Sequence, residues 1–407
     1  MRAGPERVSG VNDMSGAGVE LIQRARSLVP VLAQRAAQTE RDRMVPKETI
    51  ADMQAAGLFQ VMQPKRWGGH ELGLEIITDI QLILAEGCLS SAWVFGVIAA
   101  EPFLIALCDD RMAQDVWGRD RSTLVCGTSA ADAKNTLVAV EGGFRLSGTW
   151  RFASGCDHCD WAFLGGAVVA ADGTSTDWRL LLPKADYQIV GPWNVSGLRG
   201  TGSRDIVVAD KFIPAHRAIK RADVFDSKGP GLALNTAPVY RIPFGQVFSF
   251  GVSTLVIGGL QGMLDAFTAY GAKRTARGIG PTARDPVAQL LCAETAAQID
   301  ESKTIFRRNA ANLQAYAERG EIPPMRERMQ YKFQLAFAVE RASLLAARLF
   351  KAAGASGIYV ENTPFARMLA DINAGRSHVN NQFELYGRSW GAVLLGGSES
   401  EGRDRLL

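Results

Sequence analysis

Nothing in these 407 residues has the make-up of a cross-linked secreted scaffold, a nucleic-acid face or a bilayer span. The six cysteines, at 88, 108, 126, 156, 159 and 292, sit among apolar residues without regular spacing. That suits a reducing compartment better than a disulfide framework, so a cytoplasmic protein is expected. Charge of one sign is missing as well. Lys and Arg number 45 against 42 Asp and Glu, a formal net charge of +3 with both signs mixed throughout. This leaves neither a basic face for nucleic acid nor an acidic tail, and points to a small-molecule partner. No stretch stays apolar over the roughly 18 to 20 residues that span a membrane. "VFGVIAAEPFLIAL" comes nearest, is interrupted by Glu101 and Pro102, and reads as buried helix. Internal repeats are absent. Residues 1–18, "MRAGPERVSGVNDMSGAG", lack the apolar core of a signal peptide and read as a flexible leader.

Three regions follow in the chain. Residues 19–118 carry helical periodicity: in "ELGLEIITDIQLILAEG", Ile76, Ile80, Ile83 and Leu84 recur at spacings of three and four, one apolar face of a helix. From 119 to 225 the pattern changes to short runs such as "STLVCGT", "GFRLSGTWRF" and "DIVVADKFI", separated by "EGG" and "ADG", which predicts a compact antiparallel β domain. After the Gly/Pro-bearing link "DSKGPGLALNTAP", helical periodicity resumes and occupies 226–395 as a C-terminal bundle, with 396–407 as a tail. "RMQYKFQLAFAVERASLLAARLF" is apolar around most of its circumference and reads as a central bundle helix.

The eye goes first to "RFASGCDHCDWAFLGG", where Cys156 and Cys159 flank His158. Two thiolates separated by two residues hold a metal when a tight turn makes them converge, and zinc usually needs four ligands. Here the flanking residues read as a strand, which sends positions 156 and 159 to opposite faces unless the chain turns at Gly155. No second pair supplies further ligands and no thioredoxin-like unit surrounds this one, so no metal is expected and packing is the reading. The same alternation puts Trp150, Phe152 and Ser154 on one face of an extended "TWRFAS", two aromatic walls and a hydroxyl suited to the edge of a planar heteroaromatic cofactor. A sheet face packed on helices is the alternative.

"GGFRLSGTWRFASGCDHCDWAFLGG" and "NVSGLRGTGSRDIVVADKFIPAHRAI" resemble the middle β domain of the acyl-CoA dehydrogenase superfamily, and more narrowly its two-component monooxygenases that use reduced flavin. "RMVPKETIADMQAAGLFQVMQPKRWGGHEL" is similar to that family's N-terminal helical domain, and "TPFARMLADINAGRSHVNNQFELYGRSWGAVLLG" to its closing helices. The resemblance implies an α+β fold: an N-terminal helical domain, a middle antiparallel β-sandwich or barrel and a C-terminal four-helix bundle, assembled as a homotetramer. It implies that Trp150, Phe152 and Ser154 line the flavin ring with Ser154 near its reactive centre, that Thr128 and Ser129 in "CGTSA" add polar contacts, and that Arg274 meets the flavin phosphate. A guanidinium is suited to that last task; a solvated helix charge is the alternative.

The resemblance further implies an oxygenase component that takes reduced FMN or FAD from a separate NAD(P)H-dependent reductase. Oxygen adds to give a flavin 4a-hydroperoxide, which hydroxylates an aromatic or polycyclic small molecule. "GLRGTGSRD" lies between β runs and opens no helix, so it fails as a dinucleotide loop. His378 stands where that branch uses a histidine as acid/base group, and an imidazole exchanges protons near neutrality. On an unbroken helix Asp371, His378 and Asn381 share a stripe, with Asp371 about 10 Å from His378 and unable to orient it. Asn381 is a candidate substrate contact. Glu101 stands where phenol-hydroxylating relatives place a histidine; its carboxylate suits a phenol or an amine, and an ionised residue at a subunit surface is the alternative. His70 and His216 read as structural, with His158 a weaker site candidate. N- or S-oxygenation on the same scaffold, an acyl-CoA dehydrogenase and a flavin-free binding protein remain the competing readings.

Overall fold

The computed structural model describes residues 16–132, 134–276, 280–360 and 363–399; most of the expected leader and tail lies outside them. The first helical region contains α1 (Gly16–Asp42), α2 (Lys47–Ala55), α3 (Leu74–Gly87), α4 (Leu89–Ala99), α5 (Glu101–Leu107) and α6 (Asp110–Trp117). Ile76, Ile80, Ile83 and Leu84 are buried, as the spacing in α3 predicts. Every residue of α4 and α5 is buried, and the helix breaks between them where Ala100 separates Ala99 from Glu101.

The expectation about apolar length needs correcting. Leu89–Leu107 and, in the last region, α8 (Phe244–Gly271) are each long and apolar enough by composition to cross a membrane. Both are interior elements, with 94% and 83% of their most apolar windows buried within the protein. Helices covered on every side are apolar on every side.

The middle region consists of two sheets. One has the order β1 (Val125–Thr128), β5 (Trp161–Val169), β6 (Ser175–Pro183), β9 (Ala218–Lys220). The other has the order β2 (Ala130–Ala131), β4 (Gly143–Ala153), β8 (Arg204–Pro214), β7 (Gln188–Val190), with β3 (Thr136–Val140) also on β4. The region is not wholly antiparallel, because β1 and β5 pair in parallel with Val125 opposite Trp161. Parallel neighbours need a long crossover, and here the chain passes through β2, β3 and β4 in the second sheet between them.

A short helix α7 (Arg221–Phe225) leads into α8, which is followed by the small strands β10 (Thr275–Ala276) and β11 (Gly280–Pro281). Then come α9 (Pro286–Glu318), α10 (Met325–Ala353), α11 (Phe365–Arg376) and α12 (Phe383–Leu394). α8 and α10 pack on each other and each packs on α9 and α11, and α12 lies on α10. α8 also packs on α3 and α4, so one continuous apolar core joins the three regions. A smaller cluster of Met329, Ala336, Tyr386 and Val393 joins α10 to α12.

Candidate active site

Where α4, the ends of β1 and β4, the start of α8, α10 and the turn after α11 converge, they enclose a cavity of about 780 Å³. This lies toward the upper end of small-molecule sites, about 300–1,000 Å³. Its walls are largely aromatic and aliphatic: Trp93, Val97, Phe152, Trp193, Phe244 and Phe248.

Ser154 lines this cavity and is 6% exposed. Gly155 takes φ 70°, a left-handed turn open to glycine, and ends β4 against α4, where a Cβ would crowd Val94 and Ile98. That close approach lets Trp93 Nε1 donate to Ser154 Oγ at 3.0 Å. Ser154 also bonds Ser203 Oγ at 2.7 Å, and Ser203 bonds Thr201 Oγ at 2.6 Å. Thr201 donates to the Leu198 carbonyl at 2.9 Å. Each hydroxyl has a single proton, so this last bond fixes the rest: Ser203 donates to Thr201, and Ser154 donates to Ser203. Ser154 therefore keeps one lone pair for the cavity and no proton.

Trp150 does not share this position. The β4–β8 register shifts between Trp150 and Ala153, and Phe152 takes φ 62°. The alternation is broken there, so Trp150 turns into the sheet interior, 0% exposed, with Nε1 donating to the Gly165 carbonyl at 2.7 Å. Phe152 turns out to the cavity rim, 57% exposed and edge-on to Trp193. The expectation that Trp150 lines the site is corrected accordingly.

His378 lines the cavity, but not from a helix. α11 ends at Arg376, and His378 caps a short turn over Val379–Asn381. Its Nδ1 accepts from the Asn380 backbone N–H at 3.2 Å, which puts the proton of the neutral ring on Nε2. Burial, assisted by the nearby Lys332, presses its pKa down to about 4. The ring therefore sits neutral at physiological pH, as a donor toward the cavity. It packs edge-on against Trp93, with centroids 5.5 Å apart.

The break in the helix also removes the proposed stripe. Asn381 is buried outside the cavity lining, donating to the carbonyls of Val252 and Gly375 and accepting from Ser253; it ties the turn to α8, and the expectation of a substrate contact is corrected accordingly. Asp371 accepts from the Leu198 N–H at 2.6 Å, and burial raises its pKa to about 7.

Glu101 is 5% exposed, inside the cavity and not at a surface. Burial raises its pKa to about 7, and Arg179, with a guanidinium nitrogen 3.9 Å away, draws it partly back. A Cβ on Gly127 of β1 would displace the Glu101 carboxylate and crowd Arg179, so this placement of the pair relies on glycine at 127. Oε2 of Glu101 and Nε of Arg179 have no hydrogen-bond partner among the described residues. Ser129 accepts from Arg179, while Thr128 donates to the Arg151 carbonyl and accepts from the Ala130 N–H. Both line the cavity.

Arg274 lies away from it. Its guanidinium donates to the Ala352 carbonyl at 2.8 Å, over the ring of Tyr270. Cys156 to His158 form a turn after Gly155, not a strand, and both cysteines are buried free thiols. Among the described residues no group of three or more His, Cys, Asp or Glu is placed to hold a metal ion. His158 is outside the cavity lining, and His216 bonds Asp115 at 2.8 Å.

Sequence reading missed Trp93, Thr201, Ser203, Arg179, Ser249 and Lys332. Lys332 had a usable signal, a cation on the apolar face of α10, which it shares with Arg328 one turn earlier. The serines and Trp93 had none, because their meeting depends on how β4 and β8 abut α4.

Residues 250–383 match the family model of the acyl-CoA dehydrogenase C-terminal domain. The oxygenase subunit HsaA of a flavin-dependent monooxygenase from Rhodococcus jostii is 34% identical over 366 residues, 89% of this chain and 95% of that one. The oxygenase component of an FADH2-dependent resorcinol hydroxylase from a Rhizobium species is 29% identical, covering 95% and 98%. The crystal structure of 3-HSA hydroxylase from Rhodococcus sp. RHA1 superposes with a TM-score of 0.88 at 33% identity, covering 93% of this chain and 97% of that one.

Proposed function

The chain belongs to the oxygenase subunits of flavin-dependent monooxygenases, built on the acyl-CoA dehydrogenase-like fold, and we propose that its central cavity hydroxylates a phenolic or polycyclic aromatic compound. The enzyme uses reduced flavin and dioxygen, and a separate reductase supplies the reduced flavin. The observation that carries the choice of site is the joint presence in one largely apolar cavity of Ser154's fixed lone pair, the His378 ring and aromatic walls.

A flavin suits these residues. Its ring system is planar and apolar on its faces, with polar groups along its edge, and Trp93, Phe152 and Trp193 offer walls while Ser154 offers an acceptor. Bound reduced flavin supplies the activation of dioxygen. The chain's own tasks are to exclude water, to hold the edge of the ring at Ser154, and to present the Nε2–H of His378 to the oxygen that is transferred. Thr128 and Ser129 are polar contacts in the same reading. Arg274 retains the role of phosphate partner only as part of an assembly, because its guanidinium lies outside the cavity of a single subunit.

Glu101 and Arg179 form the polar wall that selects the substrate, their unpaired atoms offering one acceptor and one donor. A homotetramer belongs to the same reading, supported by Phe337 and Leu344 standing exposed on α10. The scattered cysteines support a reducing, cytoplasmic setting.

The test is to mix the protein anaerobically with reduced FMN or FAD and a phenol, then admit isotopically labelled dioxygen. One labelled oxygen atom in a hydroxylated product is expected. Release of all the oxygen as hydrogen peroxide with every phenol tried, under conditions where flavin binds, overturns the reading. An oxygenated amine or sulfide in place of the phenol favours the alternative chemistry on the same scaffold.

A further inference from the structure

Lys332 of α10 is a buried amine that the chemistry above does not use. It is 2% exposed and lines the cavity. The groups facing it are hydroxyl, aromatic and imidazole. Nζ donates to Ser249 Oγ of α8 at 2.6 Å, and Ser249 in turn donates to the Gly245 carbonyl. Nζ also lies 4.8 Å from the ring centroid of Tyr386 on α12. His378, in the turn after α11, is near enough that a proton on either base opposes a proton on the other. No carboxylate forms an ion pair with Lys332 among the described residues. An ammonium held this far from water without an anion is strongly disfavoured, and burial accordingly lowers the pKa of Lys332 well below the usual lysine range. Burial thus favours the amine form, which has a lone pair free to take a proton.

His378 does not fill that role. Its Nδ1 is engaged by the Asn380 N–H, and its Nε2 carries the ring proton. Glu101 already faces Arg179. The end of the cavity that lacks an anion is the end where an anion formed from the substrate is best stabilised.

Building on the hydroxylase reading, we propose that Lys332 is the proton acceptor for the phenolic hydroxyl of the substrate and then holds the resulting phenolate. The phenol O–H bond breaks, its electron pair stays on oxygen, and the proton forms the third N–H bond of the Lys332 ammonium. A neutral pair thereby becomes an ammonium–phenolate pair whose mutual attraction offsets the cost of holding each charge away from water, and the ring becomes the more electron-rich one that electrophilic oxygenation needs. After oxygen transfer the proton returns to the product. The substrate class is an un-ionised phenol that enters neutral and reacts as its anion.

The probe is 4-nitrophenol, whose phenolate absorbs visible light and whose phenol does not. It is titrated into the flavin-free full chain at a pH just below its own ionisation. The wild type is expected to bind it as phenolate, with the apparent ionisation lowered by at least about one pH unit, tenfold in equilibrium. In Lys332→Met the visible band is lost and the probe binds as phenol. Lys332→Arg, which carries a permanent charge, restores the band. A bound probe that stays phenol in the wild type, no binding at all, or a band that survives in Lys332→Met and vanishes in Glu101→Gln overturns the assignment. Turnover with reduced flavin is measured separately. A Lys332-dependent band without aromatic turnover refutes the hydroxylase reading and leaves the anion site standing, and turnover with a Lys332-independent band does the reverse.

Discussion

The two polar ends of the cavity solve the same problem differently. At one end Glu101 faces Arg179, an acid against a base, 3.9 Å apart and short of hydrogen bonding. At the other, Lys332 and His378 are two bases within each other's field, and among the described residues no carboxylate pairs with either. Burial pushes all three titrating groups toward their neutral forms. The first end has its counter-charge built in. On the proposal above, the second leaves that charge to be created during reaction.

The sharpest way to break this contrast is to remove His378. His378→Ala should fold and bind reduced flavin, yet form hydroxylated product about 100-fold more slowly or worse, the scale of a lost donor or acid/base group. Single-turnover product analysis decides it, and loss of folding would return the residue to packing.

The first end is tested by stability. Glu101 has a folded pKa of about 7, raised above its unfolded value, so the folded state binds more protons between those two values. Its contribution declines as pH rises through that window and stays unfavourable above it. Glu101→Gln, which cannot titrate, should gain about 3 kcal/mol at pH 8 and little at pH 4. Urea unfolding at both pH values checks this, and an equal effect at both would remove the charge from the argument. Asp371, also raised to about 7, titrates in both proteins and drops out of the difference. His378 acts in the opposite sense: its folded pKa of about 4 lies below its unfolded value, so its share of stability is lost as pH falls below about 6.5.

The smallest effect is expected at Ser154. Ser154→Ala leaves the Trp93 N–H unpaired and removes the acceptor to the cavity. Losing one such hydrogen bond amounts to about 1–1.5 kcal/mol, or roughly tenfold. Peroxide released per product formed should rise by about that factor, and an unchanged ratio would remove Ser154 from cofactor support.

How legible all this was depended on whether periodicity ran unbroken. Ile76, Ile80, Ile83 and Leu84 lie on the buried face of α3 because that helix is regular. The alternation through Trp150, Phe152 and Ser154 failed at a bulge, and the stripe through Asp371, His378 and Asn381 failed where α11 stops. Each interruption turns one polar side chain into the cavity and sends a neighbour elsewhere, and no count of spacing announces it. His378 and Glu101 were singled out through family likeness, and Ser154 first through strand alternation. Arg179 and Ser203 were not found, because their positions depend on sheet register and on Gly127 having no side chain.

The line of hydroxyls from Trp93 through Ser154, Ser203 and Thr201 to the Leu198 carbonyl can be read in only one direction. Turning Ser154 from acceptor to donor requires all three protons to flip together and Thr201 to abandon its carbonyl. The chain therefore presents the cavity with an acceptor that cannot readily become a donor. In the proposed reading, Ser154 would suit a cofactor edge that donates a hydrogen and would lose that bond to an edge that has none to give, so a cofactor that loses a hydrogen on oxidation would be held less firmly after reaction.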